Sequence, residues 1–395
     1  MKLHLNALGV INPLGRSKHE VARNLFAGSR TGLISRNELL PDRSVRVGVV
    51  SGPLPELPAR LAPLDCRNNR LALAAIGQIE NDIRAIAARV GPHRVAVVMG
   101  TSTSGIADGE AALLQRITKG EWPEEFRYSR QEIGNLAGCV AAYLELSGPA
   151  YTVATACSSS AKVFASAQRL IAAGLCDAAV VGGADTLCRM TLGGFDSLEL
   201  LAKDYCNPFS RNRDGINIGE GAAVFLMTTE ESAVSLLGVG ESSDAYHVSS
   251  PHPEGEGAAL AMTRALEAAH LRPEQIDYIN LHGTATALND AMEARAINRI
   301  FSERTPCSST KSITGHLLGA AGANEAAFLW LMLDAGFASG CVPPHVWDGE
   351  IDPAIPRLNL VPPQFHLGHS TRRAALSNSF AFGGSNASLV LGRGW

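Results

Sequence analysis

Charge is scarce in this chain. Only 18% of its 395 residues are Asp, Glu, Lys or Arg, and the formal net charge is −4. There is no basic excess with which to bind nucleic acid through its phosphates. No apolar run is long enough to span a bilayer. None of the eight cysteines (66, 139, 157, 176, 188, 206, 307 and 341) forms a CxxC pair, and no HExxH occurs. Structural zinc, a zinc-protease helix and any other metal site are therefore not expected. The opening MKLHLNALGVINPLG lacks the long apolar core and cleavage site of a secretion signal. It reads as a first strand ending at the turn Asn12-Pro13-Leu14-Gly15, so disulfides are not expected and a cytoplasmic setting is. The glycine-rich stretch RNRDGINIGEGAA, 211–223, fits neither GxGxxG nor GxxxxGK[ST], which sets a phosphate loop aside.

The 46% apolar content is too high for disorder. RVAVVMG (94–100), DAAVVGGAD (177–185) and GAAVFLMTT (221–229) read as strands buried on both faces. A capping box at Ser17–Glu20 opens a helix ending at Gly28, and a long amphipathic helix is predicted over about 66–89. The second half repeats the alternation: a strand at 276–283, a helix at 290–301, a strand-like PCSSTKS, a helix at 315–333 and two closing strands in 374–392. ATACSSSAKVFASAQRLIAAG and SSTKSITGHLLGAAGANEAAFLWLMLDAG share one plan of strand, polar junction, helix and terminal glycine. This echo predicts α/β layers in a duplicated architecture, with halves at 1–235 and 236–395.

Cys157 stands at a predicted strand–helix junction in VATACSSSAKVF. That position suits a buried structural thiol, and equally a nucleophile at a helix N-terminus. His282 ends a strand before a Gly-Thr-Ala-Thr turn, Lys311 and His316 flank the start of an apolar helix, and NSFAFGGSN (378–386) is a glycine loop with two phenylalanines. Each alone has an ordinary structural reading. Together, one thiol, two imidazoles, a lysine and amide-rich loops suit acyl transfer, in which a thiolate attacks a thioester and N–H groups hold the oxyanion.

Five ordered motifs, TACSSS, NPFSRNRDGINIGEGAA, HGTATALND, STKSITGHLLGAAGANE and NSFAFGGSN, resemble the β-ketoacyl-acyl carrier protein synthases of the Cys-His-His elongating type. The resemblance implies a thiolase-type fold, a duplicated αβαβα sandwich, usually as a homodimer. It implies that Cys157 is the acylated nucleophile and that His282 and His316 serve decarboxylation and condensation. It implies that Lys311 supports His316 with Glu325 as its charge partner, and that Thr284 and Thr286 contact the pantetheine arm. Phe382 is implied as the gate, its N–H completing an oxyanion hole with that of Cys157, while Asp290 and Glu293 are structural acids. Arg67 and Arg70 are implied to lie near the pantetheine entrance, where an acidic carrier protein docks; a solvated helix face is the alternative. No cofactor is implied.

The chain departs from the family pattern at Ala287 and Asn289, where Pro and Gly are usual, at Ala381 for Gly, and at Ile216 for Phe. These changes point toward a specialised polyketide or aryl-polyene-like branch, for which Ala381 is expected to stiffen the gating loop. Two other readings are a coenzyme A thiolase and a non-catalytic chain-length-factor subunit. The first normally needs a second cysteine in the C-terminal glycine loop, and 374–395 holds none; the second typically lacks the nucleophile. A heterodimer with a chain-length-factor-like partner is compatible with the enzyme reading.

Overall fold

The computed structural model describes residues 1–301, 303–338 and 340–395. Ten principal strands form two sets of five. The first set is β1 (Leu3–Ile11), β2 (Val95–Gly100), β3 (Ala150–Val153), β4 (Ala178–Asp185) and β5 (Gly221–Thr228). The second is β6 (Ser235–Ser243), β7 (Tyr278–Asn280), β8 (Pro306–Ser308), β9 (Arg373–Phe380) and β10 (Ser385–Arg393). Their spatial orders are β3-β2-β4-β5-β1 and β8-β7-β9-β10-β6, so each strand of one set has a counterpart five places on. In both, the three strands farthest from the molecular centre are parallel and the other two antiparallel. The sets meet where Leu3 pairs with Leu236 and His4 with Ser235. The division expected at 235/236 thus falls at the start of β6.

Six helices repeat in the same way: α1 (Arg67–Ile76), α2 (Asn135–Leu144) and α3 (Ser159–Ala172), then α4 (Glu256–Ala269), α5 (Ala287–Ile300) and α6 (Ala321–Leu333). Strand alternation decides which helices each face meets. Val95, Val97 and Met99 pack with residues of α1 and α2, while Ala96 and Val98 face α3 and α6. In the other sheet, Ile279, Leu376 and Val390 pack with α4 and α5. The result is five layers, helices–sheet–helices–sheet–helices. α6 lies in the middle layer with all thirteen residues buried, which is why its sequence beyond Asn324 and Glu325 is apolar all round rather than amphipathic. It approaches α3 closely at Gly322, where an added Cβ would lie 2.7 Å from the Cβ of Ala161.

The long helix predicted over 66–89 is two helices, α1 and Glu80–Val90. The chain breaks at 77–79 because the Gln78 side chain donates to the carbonyls of Val10 (2.8 Å) and Arg16 (3.2 Å), tying the segment to β1. The helix predicted from 315 begins only at Ala321. Residues 315–320 instead turn through Leu318, whose φ is +52°, and this frees His316 from the helix. The strand predicted over 276–283 is confined to Tyr278–Asn280, and His282 lies in the loop beyond it.

Candidate active site

Cys157 stands between β3 and α3 on a tight turn. Ala156 before it has φ +50°, a left-handed conformation that L-residues avoid unless surroundings enforce it. The Ala156 carbonyl accepts from Ser159 Oγ (2.6 Å) and Ser102 Oγ (3.2 Å), which hold it there. Cys157 is buried. Burial pushes its thiol up to about 11, against the opposing pull of the Lys311 ammonium and of the Phe382 N–H hydrogen-bonded to the sulfur.

His282 follows β7. Its N–H and that of Gly283 donate to the two oxygens of Glu293, each at 2.7 Å. Asp290, one turn earlier on α5, accepts from Thr284 N (3.1 Å), Ala285 N (3.2 Å) and Phe209 N (2.7 Å). The two acids therefore gather the backbone amides of the loop that carries His282 and the Thr284–Thr286 pair. Burial raises them to about 6 for Asp290 and about 7 for Glu293.

Lys311 Nζ sits at the centre of a buried cluster, 2.5 Å from Glu325 Oε1, 2.5 Å from the carbonyl of His282 and 3.3 Å from His282 Nδ1. The ion pair with Glu325 is the expected one. The histidine is not: the side chain of Lys311 bonds His282 rather than His316. The reason is topological, because β7 and β8 are parallel neighbours and the residues following them lie side by side. His316 takes its support elsewhere. Its Nδ1 accepts from Leu318 N (3.2 Å), its own N–H donates to Asn217 O (2.6 Å), and its carbonyl accepts from Gly219 N (2.9 Å). The glycine-rich 211–223 stretch thus acts as a strut for His316.

The two imidazoles are buried with ring centroids 5.3 Å apart and planes at 84°. Burial, helped by the Lys311 charge, lowers both well below the ordinary histidine value. Each is therefore neutral near pH 7. With Nδ1 acting as acceptor in both, the remaining proton resides on Nε2. One ligand atom from each of Cys157, His282 and His316 falls in a cluster whose members all lie within 4.8 Å of one another. A cavity of about 260 Å³ opens over them. Its wall includes Thr284, Thr286, Phe382, and the apolar side chains Phe195, Leu200 and Ile216. The Thr284 and Thr286 hydroxyls are 2.9 Å apart.

Phe382 packs its ring 5.6 Å from Phe195, and Gly383 and Gly384 both have positive φ. Ala381 has φ −102° and ψ 153°, extended backbone open to any residue, so its methyl causes no strain in this conformation. Arg67 and Arg70 do not line the cavity. Arg67 forks onto the buried Glu220 at 2.5 and 2.9 Å, and Arg70 onto Asp65 at 2.5 and 2.7 Å. The sequence reading missed Glu220, whose motif position was noticed only for its glycines, and the cavity-lining Asp244 and Asn386. It also missed Asp185, visible beforehand only as a lone acid at the end of an apolar strand.

Comparison with known proteins agrees with this geometry. The profile of the β-ketoacyl synthase N-terminal domain matches residues 65–233, and that of the C-terminal domain matches 234–345. The mitochondrial 3-oxoacyl-[acyl-carrier-protein] synthase of Arabidopsis thaliana is 38% identical over 62% of this chain and 56% of its own length. The 3-oxoacyl-[acyl-carrier-protein] synthase 2 of Staphylococcus aureus is 34% identical over 75% of this chain and 74% of its own. The match to a Rhizobium meliloti synthase 2, at 39% identity, spans 64% of that protein, so two of these relatives are matched over less than two thirds of their length. A solved chain from the complex of the ketosynthase ApeO with its chain length factor ApeC, from Xenorhabdus doucetiae, superposes with a TM-score of 0.94. It is 46% identical, over 99% of this chain and 98% of that one. A chain of the ishigamide ketosynthase/chain length factor superposes at 0.88 with 29% identity, covering 99% of each. Motifs, duplicated layers and buried Cys-His-His cluster lead to one conclusion: the chain belongs to the β-ketoacyl synthase family.

Proposed function

We propose that this protein catalyses the decarboxylative Claisen condensation of an enzyme-bound acyl group with malonyl-acyl carrier protein, giving 3-oxoacyl-acyl carrier protein and CO2. The observation that carries the reading is the buried Cys157–His282–His316 cluster, in which Nδ1 of each imidazole is taken by a donor, Lys311 Nζ or Leu318 N, leaving Nε2 for the substrate. The Cys157 thiolate attacks the carbonyl of an acyl-carrier thioester. The carrier's C–S bond breaks, and its pantetheine sulfur leaves as the thiol by taking up the proton that Cys157 gave up on forming its thiolate. Malonyl-carrier then enters past Thr284 and Thr286, whose hydroxyls suit an amide-bearing arm. Its carboxylate leaves as CO2, and the electron pair of the broken C–C bond passes into an enolate. The Nε2–H groups of His282 and His316 hold the enolate oxygen. The α-carbon attacks the Cys157 thioester, with the amides of Cys157 and Phe382 holding the second oxyanion. Cys157 is released as thiolate and regains a proton.

The likeness to chains from ketosynthase–chain length factor complexes supports a specialised elongation branch and a dimeric assembly, either with a second copy or with a chain-length-factor-like subunit. We place the enzyme in the cytoplasm, where acyl carrier protein is the donor. Both arginines are paired, Arg67 with the buried Glu220 and Arg70 with Asp65; Arg70 is kept as the candidate for carrier docking because its partner is the more exposed acid, so its charge is the easier to release. The test is intact-mass analysis after incubation with acyl-carrier protein, followed by addition of malonyl-carrier protein. The expected course is one acyl adduct on Cys157, which disappears as 3-oxoacyl-carrier and CO2 form in equal amounts. An adduct elsewhere, or product without CO2, overturns the reading.

A further inference from the structure

We propose that Asp185 and Ser102 form a positioning unit for the nucleophile, holding the left-handed turn at Ala156 in register with the His316 turn. Asp185 is fully buried at the end of β4. Its Oδ1 accepts from Thr101 Oγ1 (2.6 Å), Ser102 N (2.8 Å), Thr103 N (2.8 Å) and Thr103 Oγ1 (2.8 Å), and Oδ2 accepts a further contact from Ser102 N at 3.0 Å. The loop after β2 is thereby fixed. From it, the Ser102 hydroxyl reaches across to the Ala156 carbonyl at 3.2 Å. The other donors to that carbonyl, the hydroxyl (2.6 Å) and amide (3.1 Å) of Ser159, belong to the turn itself. Ser102 supplies the tether from outside, so it sets where the turn sits and not merely its shape.

The same unit touches the second catalytic segment. Gly319 packs on it so closely that a Cβ there would lie 2.5 Å from Ser102 Oγ and 2.8 Å from Asp185 Oδ2. Gly319 follows Leu318, whose N–H donates to His316 Nδ1. One buried carboxylate therefore governs the spacing between Cys157 and His316, on the two sides of the site.

The duplicated architecture sharpens the assignment. Thr101 N donates to the Val153 carbonyl at the end of β3, as Leu281 N donates to that of Ser308 at the end of β8. Ser102 is thus the counterpart of His282. In both loops two successive amides are gathered by one carboxylate: Ser102 and Thr103 by Asp185, His282 and Gly283 by Glu293. In one half the residue so held is a catalytic imidazole. In the other it is a hydroxyl turned onto the nucleophile's turn.

The proposal rests on the condensation reading only in that acylation of Cys157 is its readout. The mild variant is Ser102→Ala, which keeps Asp185 and its amide bonds. In single-turnover acylation of Cys157 from acyl-carrier protein, its saturating rate constant should fall roughly five- to tenfold, the scale of one hydrogen bond. KM and the melting temperature should be unchanged. Asp185→Asn, which turns donors toward donors, should lower the same rate about a hundredfold, the scale of a displaced reacting group. Malonyl decarboxylation in a Cys157→Gln background should change by less than twofold with Ser102→Ala, because Asp185 still holds the loop against Gly319 beside the His316 turn and His282 keeps its own carboxylate. An unchanged acylation rate in Ser102→Ala, or an equal loss of acylation and decarboxylation, overturns the proposal. Wild-type protein that takes up no acyl group would instead refute the condensation reading, so the two failures are distinguishable.

Discussion

The two halves share strand order, helix order and two buried carboxylate-held loops, yet their chemistry differs. The first half presents a thiol on a strained turn at the start of α3. The second presents two imidazoles, one after β7 and one ahead of α6, with a lysine between the strands and the helix. What separates them is how each is held. The thiol is fixed through backbone carbonyls and neutral hydroxyls, with Lys311 and one amide as the electrostatic help. The imidazoles are fixed at Nδ1, by Lys311 Nζ for His282 and by a backbone amide for His316, which leaves Nε2–H for the substrate. On the proposed mechanism, the group each frame holds sets its part: a thiol in the first for the nucleophile, and two Nε2–H groups in the second for oxyanion support.

The largest expected effect comes from emptying the first frame. Cys157→Ala should abolish condensation and remove the acyl adduct in intact-mass spectra, since no other thiol lies in the cluster among the described residues. Emptying the second frame is expected to be next. His282→Ala and His316→Ala should each lower release of labelled CO2 from malonyl-carrier about 10²- to 10³-fold, the cost of one oxyanion donor. Acylation of Cys157 should be much less affected. Lys311→Met separates the histidines: it should harm decarboxylation as much as His282→Ala does. It should also destabilise the fold by about 3–5 kcal/mol, because Glu325 is left buried without its partner. Adding Glu325→Leu should restore stability in urea unfolding without restoring decarboxylation.

Smaller effects sharpen the electrostatics of the two frames. Since burial holds the Cys157 thiol near 11, alkylation by iodoacetamide should rise about tenfold per pH unit between pH 7 and 9, following the thiolate fraction. A plateau below pH 8 would contradict that placement. The histidines titrate below their ordinary range, so lowering the pH from 9 to 8 leaves them neutral and malonyl decarboxylation should hold steady across that interval; a fall near pH 7 should follow Glu293, raised to about 7, as its protonation loosens the His282 loop. The smallest effect is at the surface. Arg70→Glu should raise KM for carrier-linked substrate by roughly two- to fivefold and leave small pantetheine thioesters alone.

The chemistry was legible in the sequence where it is local. Cys157, His282 and His316 each lie in a short motif at a strand–helix junction that is visible in the sequence, and the five layers follow from apolar runs and a repeated strand–helix plan. What escaped depends on contacts between segments far apart. Lys311 reaches His282, 29 residues away, only because β7 and β8 lie side by side. Arg67 reads as a docking charge until Glu220, 153 residues on, closes on it. The break after α1 needed the β1 backbone beside Gln78 to become visible. Ala381 reads as a stiffened hinge, but its negative φ is a property of the folded loop.

The most direct test of two frames with divided labour is to measure both half-reactions in the same set of variants: acylation by intact mass, and decarboxylation by labelled CO2. The account predicts a crossed pattern. Cys157→Gln loses acylation and retains decarboxylation, His282→Ala and His316→Ala retain acylation and lose decarboxylation, and none of the three makes 3-oxoacyl-carrier at an appreciable rate. Parallel loss of both half-reactions in every variant, or normal CO2 release from both histidine variants, would contradict it.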